Sequence, residues 1–183
     1  MGERDMRRGA AAAIGILLWA GAAADASGAD LQSATTAYEG GAYGAAFAEF
    51  RELAQSGDSQ AILWLGYLYQ EGQGTAQDYA AAMENFRMAA DLGEPLGFFY
   101  IGRMYSEGLG VQRDAVEGVR WYRRAAERGS AYGEFAVGQA HESGDGAPRD
   151  LRAARRWYQA AADQNDDDAK QALQRLGANP EPE

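Results

Sequence analysis

The sequence predicts an all-α protein, a right-handed α-solenoid of stacked antiparallel helix pairs, and three observations predict it. The first is a constant interval of 36 residues, running 57, 93, 129, 165 in the column Gly57, Gly93, Gly129 and Asn165. The same interval links Gly66, Gly102 and Gly138; Gly72, Gly108 and Gly144; Gly74, Gly110 and Gly146; Asp78, Asp114 and Asp150; and Phe50, Phe86, Tyr122 and Tyr158. The second is that apolar residues at 61, 62, 65, 68 and 69, and at their copies, fall on one face of a helix. The third is that each unit holds two such amphipathic runs joined by a Gly-x-Gly loop, and neither run can bury its apolar stripe without neighbours.

Residues 1–29 read as a secretory signal peptide. Arg4, Arg7 and Arg8 precede an apolar stretch from Ala10 to Ala24, and small residues place cleavage between 24 and 29. The apolar run is shorter than the roughly 20 residues a spanning helix needs. Gly9 and Ala10 follow Arg7-Arg8 where a twin-arginine signal carries bulky apolar residues, so the general secretion route is expected, with a periplasmic or secreted product.

The segment 30–58 forms a first, shorter helix pair, since Tyr38 and Phe50 are closer in sequence than Tyr69 and Phe86. Three full units follow at 59–94, 95–130 and 131–166. In each, a first helix (A) runs to the Gly-x-Gly loop, and Asp78, Asp114 or Asp150 caps a second helix (B). Helix B ends at Gly93, Gly129 or Asn165, residue types that take a left-handed turn. Gly66, Gly102 and Gly138 lie inside helix A, where glycine costs about 1 kcal/mol against alanine. A repeated cost of that kind predicts a helix crossing, with Ala82, Gly118 and Ala154 on the facing side. Residues 167–177 form a capping helix, apolar at Ala169, Ala172, Leu173 and Leu176. Residues 178–183 form a disordered tail, because Pro180 and Pro182 cannot continue a helix.

The runs LGYLYQEGQGTAQDYAAAMENFRMAADLG, IGRMYSEGLGVQRDAVEGVRWYRRAAERG and VGQAHESGDGAPRDLRAARRWYQAAADQN resemble Sel1-like repeats, a subfamily of the tetratricopeptide-repeat superfamily. The resemblance rests on L/I/V-G-x-x-Y, the Gly-x-Gly loop, the Asp four residues before the small residue of helix B, the aromatic pair and A-A-x-x-G. Asn85 departs from the Trp at 121 and 157, and His141 from the Tyr at 69 and 105. The resemblance implies a non-enzymatic scaffold of the cell envelope that binds a protein or peptide in the groove of the solenoid. Some bacterial relatives have been described as β-lactamase-like hydrolases, but the only lysine, Lys170, has Asp167 three residues before it, so Ser-x-x-Lys is absent.

Composition narrows the function classes. The 183 residues are 46% hydrophobic and 24% charged with a net charge of -10, too apolar for a disordered chain. That charge, with no Lys/Arg stripe interrupting it, argues against nucleic acid. The chain has no cysteine, which excludes disulfides, thiolate zinc sites and a cysteine nucleophile. His141 is the only histidine and occupies a core column. Asp163, Asn165 and Asp167 alternate like the start of a calcium loop, yet Asp168 and Gln174 stand where glycine and a bidentate glutamate belong. The Gly-x-Gly loops lack the lysine of a phosphate loop. No catalytic residue, metal ligand or cofactor is expected.

In tetratricopeptide-like stacking, the groove is lined by helix A residues beside the core stripe. These are Leu63, Tyr67 and Gln70, then Phe99, Arg103 and Ser106, then Phe135, Gln139 and Glu142. Two alternatives stay open: the column Leu63, Phe99 and Phe135 packs against the adjacent repeat, and Arg103 pairs with Glu107 one turn away. A second binding class is an envelope glycan or peptidoglycan stacked on Tyr67, Trp121 or Trp157, which requires those rings to be exposed. A monomer without stable membrane insertion is expected.

Overall fold

The computed structural model describes residues 30–178, so the expected leader over 1–29 and the tail beyond Ala178 lie outside the described residues. Among the described residues the chain forms nine α-helices and no strand, arranged as an all-α solenoid. They are α1 (Leu31–Glu39), α2 (Tyr43–Gln55), α3 (Ser59–Glu71), α4 (Tyr79–Asp91), α5 (Pro95–Glu107), α6 (Ala115–Ala126), α7 (Ala131–Ser143), α8 (Leu151–Asp163) and α9 (Asp167–Ala178). The chain divides into two compact units within α4, one ending at Asn85 and the other starting at Phe86.

Helix ends follow the repeating polar residues. The carboxylates of Asp58, Asp78 and Asp114 accept from the backbone N–H groups of Ala61 (2.8 Å), Ala80 and Ala81 (2.9 and 3.0 Å) and Glu117 (2.9 Å). A cap of this type contributes about 1 kcal/mol. The Asp78, Asp114 and Asp150 amides also donate to the carbonyls of Tyr69, Tyr105 and His141 at 2.8–2.9 Å, which ties the start of each B helix to the end of the A helix before it.

Two glycine positions explain the loop. Gly72, Gly108 and Gly144 close α3, α5 and α7 with φ of 66°, 74° and 82°, where a side chain would be strained. The second glycine of two of these loops lies against backbone: a Cβ on Gly74 would collide with the carbonyl of Tyr43 at the start of α2, and one on Gly146 with that of Ala115 at the start of α6. Asn165 takes φ of 68° in the column otherwise filled by glycine.

In the first unit Trp64 is buried and stacks on Phe50, with ring centroids 5.1 Å apart and 11° between planes. In the second, Phe86 and Tyr100 stack at 4.7 Å and 9°. The expected helix crossings are present there. A Cβ on Gly102 would lie 2.6 Å from Tyr122 Cδ1 and 2.9 Å from the Gly118 carbonyl, and one on Gly138 would lie 2.6 Å from the Tyr158 ring. A further small column, Ala61, Gly97, Gly133 and Ala169, was not apparent as a helix crossing in the sequence. A Cβ on Gly97 or Gly133 would stand 2.7 Å from the amide nitrogen of Ala90 or Ala126, and Ala61 and Ala169 are fully buried. In this unit α5 and α7 thus each meet one B helix near their start and another near their middle.

Candidate functional site

The first three groove candidates do not line an open surface. Leu63, Tyr67 and Gln70 are 1%, 2% and 2% exposed, which corrects the expectation that they face a partner. Tyr67 is held edge-on to Trp64 (6.0 Å) and Tyr38 (6.2 Å). Burial, then the Tyr67 hydroxyl, raises the Tyr38 hydroxyl pKa above the usual tyrosine value. Gln70 donates to Glu71 at 2.8 Å, and its carbonyl accepts from Gln77 at 2.8 Å. Here α3 is buried on nearly all sides, and a column chosen by its offset from the apolar stripe becomes core.

In the second unit the equivalent column is shared between core and surface. Phe99 is half-buried against Tyr122 (5.5 Å) and Tyr132 (5.7 Å), and Phe135 is half-buried against Tyr158 (5.4 Å). Tyr132 precedes Phe135 by one turn, so Phe99, Tyr132 and Phe135 form a short aromatic strip across α5 and α7. Gln139, one turn beyond Phe135, is exposed.

The polar candidates have internal partners. Arg103 Nε lies 3.5 Å from Glu107 Oε1, and its Cζ lies 5.7 Å from the Tyr100 ring centroid, so the ion-pair alternative holds. Ser106 hydrogen-bonds the Tyr122 hydroxyl, whose pKa burial pushes up to about 12 against the opposing effect of that bond. Glu142 accepts from Tyr158 Oη at 2.6 Å and from Arg175 Nη2 at 2.7 and 2.8 Å, fastening the capping helix α9 to α7. Burial is the first cause of the raised Tyr158 hydroxyl pKa, with Glu142 second.

The remaining candidates have structural settings. His141 is buried; its Nδ1 lies 3.0 Å from the Pro148 carbonyl and its Nε2 3.0 Å from Arg123 Nη2. Because the carbonyl only accepts and the guanidinium only donates, Nδ1 carries the proton and Nε2 accepts. Lys170 pairs with Asp167 at 2.8 Å, and Asp166 caps α9 through the Ala169 amide at 2.7 Å. Among the described residues, no group of histidine and carboxylate side chains is placed to hold a metal ion, and no helix is long and apolar enough to cross a membrane. Of the rings considered for a glycan, Tyr67 is buried and Trp121 and Trp157 are half-buried.

One feature of α6 corrects the charge reading. Arg120, Arg124 and Arg128 recur one helical turn apart along α6 and the turn that follows it, and all three are exposed, so a basic stripe does interrupt the acidic surface. It escaped the sequence reading because Trp121, Glu117 and Glu127 are interleaved with it.

A family model and solved structures agree with this geometry. A family model described as Sel1 repeat matches residues 59–94, 99–130 and 131–166. Among solved structures, a Sel1 repeat protein from Oxalobacter formigenes is 27% identical with a TM-score of 0.69, covering 80% of this chain and 60% of its own. A protective antigen present in uropathogenic Escherichia coli strains, displaying an SLR fold, is 34% identical with a TM-score of 0.66, covering 80% of this chain and 36% of its own. The chain thus spans less than two thirds of the length of both. No curated protein matches it.

Proposed function

The chain belongs to the Sel1 repeat family, and on that footing we propose that it is a non-enzymatic interaction scaffold of the cell envelope, exported by residues 1–29, that holds a protein or peptide partner on the helix A surface of its second unit. Proteins of Sel1 repeats are typically protein-binding scaffolds. The observation that carries the reading is the strip of Phe99, Tyr132 and Phe135, three half-buried rings of which Phe99 packs against Tyr122 and Tyr132, and Phe135 against Tyr158. Rigid aromatic side chains lose little conformational entropy on binding and serve as interface anchors. Beside them stand the Arg103 guanidinium, paired with Glu107, and the exposed Gln139 amide, which is both donor and acceptor.

The test is capture of the mature chain's partners from envelope extract, identified by mass spectrometry, beside a glycan-binding assay. Arg103→Glu should lower capture of a protein partner strongly and, because it turns the Glu107 ion pair into a like-charge pair, lower stability by up to about 1 kcal/mol. Unchanged capture, or retention of glycans alone, overturns the reading. Expressed with its leader, the chain should lose 24 to 29 residues on export; a full-length product in the inner membrane contradicts that part.

A further inference from the structure

The basic residues of this acidic chain are segregated. Segments 113–128 and 149–163, which contain α6 and α8, hold nine of the 17 basic residues against five of the 27 acidic ones, leaving eight basic and 22 acidic elsewhere. Some of these arginines carry a local cost, although Arg124, in the last turn of α6, stands where the helix dipole favours a cation. Arg120, Arg124 and Arg128 repel one another at one-turn spacing, as do Arg152 and Arg156, and Arg152 stands in the first turn of α8, where the helix dipole disfavours a cation.

Two of them are held on an aromatic platform. The Cζ of Arg124 lies 4.2 Å from the Trp121 ring centroid and 4.8 Å from that of Phe98, and the Cζ of Arg128 lies 4.1 Å from Phe98. The Phe98 and Trp121 rings are themselves 6.0 Å apart, and Phe98 is buried. Arg128 also donates from Nη1 to the Arg124 carbonyl at 3.1 Å. A guanidinium stacked on a ring presents its N–H edge outward, the geometry that grips a carboxylate through two parallel hydrogen bonds. Both residues are exposed, and the ring contacts restrict their side chains, which lowers the entropy lost on binding.

We propose that Arg124 and Arg128, braced on Phe98 and Trp121 and continued by Arg120, form a second docking surface on the helix B side of this unit, for an extended acidic peptide with carboxylates on alternate residues. Charge complementarity selects an acidic occupant, and the spacing admits an extended one. Both Cζ atoms lie beside the one Phe98 ring, so their separation cannot exceed the sum of their distances to its centroid, and alternate residues of an extended peptide stand about 7 Å apart on the same side. Arg120, ion-paired with Glu117 at 2.9 Å, is the next turn along and suits a third carboxylate by exchange. A nucleic acid fits less well. Its phosphates extend well beyond a screening length of about 8 Å, into the surface that carries the net charge of -10, whereas a short peptide stays within the arginine field. This surface is separate from the helix A strip and does not depend on it.

The experiment is fluorescence anisotropy of the full chain with a labelled peptide of alternating glutamate and serine at physiological salt. Saturable binding is expected. The double variant Arg124→Gln/Arg128→Gln should weaken it at least about tenfold, and Arg124→Lys/Arg128→Lys, which keeps the charge but loses the fork and the stack, by about three- to tenfold. Arg103→Glu should leave it unchanged, so that failure here and failure of the helix A reading are separable. Melting curves check each variant, and if the Gln variant unfolds, the Lys variant decides. No binding to the wild type, equal binding by the Lys variant, or tighter binding of a single-stranded oligonucleotide of the same charge overturns the proposal.

Discussion

Replacing Gly102 with alanine should lower the melting temperature of the chain, although the same change in an ordinary helix raises it. The added Cβ would stand 2.6 and 2.8 Å from two ring carbons of Tyr122 and 2.9 Å from the Gly118 carbonyl oxygen. Carbon atoms in contact prefer about 3.5–4.0 Å, so the deficit against the Tyr122 ring approaches one ångström, and the carbonyl oxygen on the other side is also too close. Neither neighbour yields easily: Tyr122 is buried beneath Phe99, and the carbonyl belongs to the backbone of α6. Overpacking of this kind costs about 1–3 kcal/mol, against about 1 kcal/mol gained in helix propensity. The net loss is about 1 kcal/mol, or roughly 2–4 °C for a chain of this size. Leucine, with three more carbons to place, should cost about 2–4 kcal/mol. Gly177→Ala is the control, because a Cβ there meets nothing within 4 Å; its melting temperature should hold or rise by the equivalent of up to about 1 kcal/mol. Helical circular dichroism followed through melting measures all three. If Gly102→Ala is as stable as Gly177→Ala, α5 and α6 do not cross where the account places them.

Alkaline unfolding should be coupled to buried tyrosines. Tyr122 has a folded pKa of about 12 against about 10 unfolded, so its contribution is complete below pH 10 and lost as pH rises toward 12. Two units correspond to about 3 kcal/mol. Tyrosinate absorbance for this residue should therefore grow together with loss of helical signal; its full ionisation near pH 10 in a folded chain contradicts the burial argument. Asp114→Ala removes the cap on the Glu117 amide and should cost about 1 kcal/mol in denaturant melts, most of which Asp114→Asn restores. Phe99→Ser and Phe135→Ser should each cost about 1 kcal/mol or more, because both rings are half-buried against tyrosines; unchanged melting places them wholly in solvent.

What was legible in the sequence was whatever the backbone dictates. Asp78, Asp114 and Asp150 announce helix starts, and Gly72, Gly108 and Gly144 announce helix ends, because both roles depend on one residue's own chemistry. The crossings at Gly102 and Gly138 were legible because a helix retains glycine at a cost only for a steric reason. The burial of Leu63, Tyr67 and Gln70 was not, since burial depends on what covers the neighbouring turn, and α3 has the same apolar spacing as α5 and α7. The Arg103–Glu107 pair could be anticipated from one-turn spacing. The stacking of Arg124 and Arg128 could not, because Phe98 comes from a different helix and no local pattern joins them.

The central claim, that a partner lies on the helix A strip of the second unit, is tested most directly by site-specific photocrosslinking in cells that export the chain. A photoreactive residue at exposed Gln139, beside Phe135, should yield one defined adduct with another protein, while the same residue at exposed Met88 on α4 should not. An adduct from Met88 but not Gln139, or none from either with the chain exported and folded, contradicts the account.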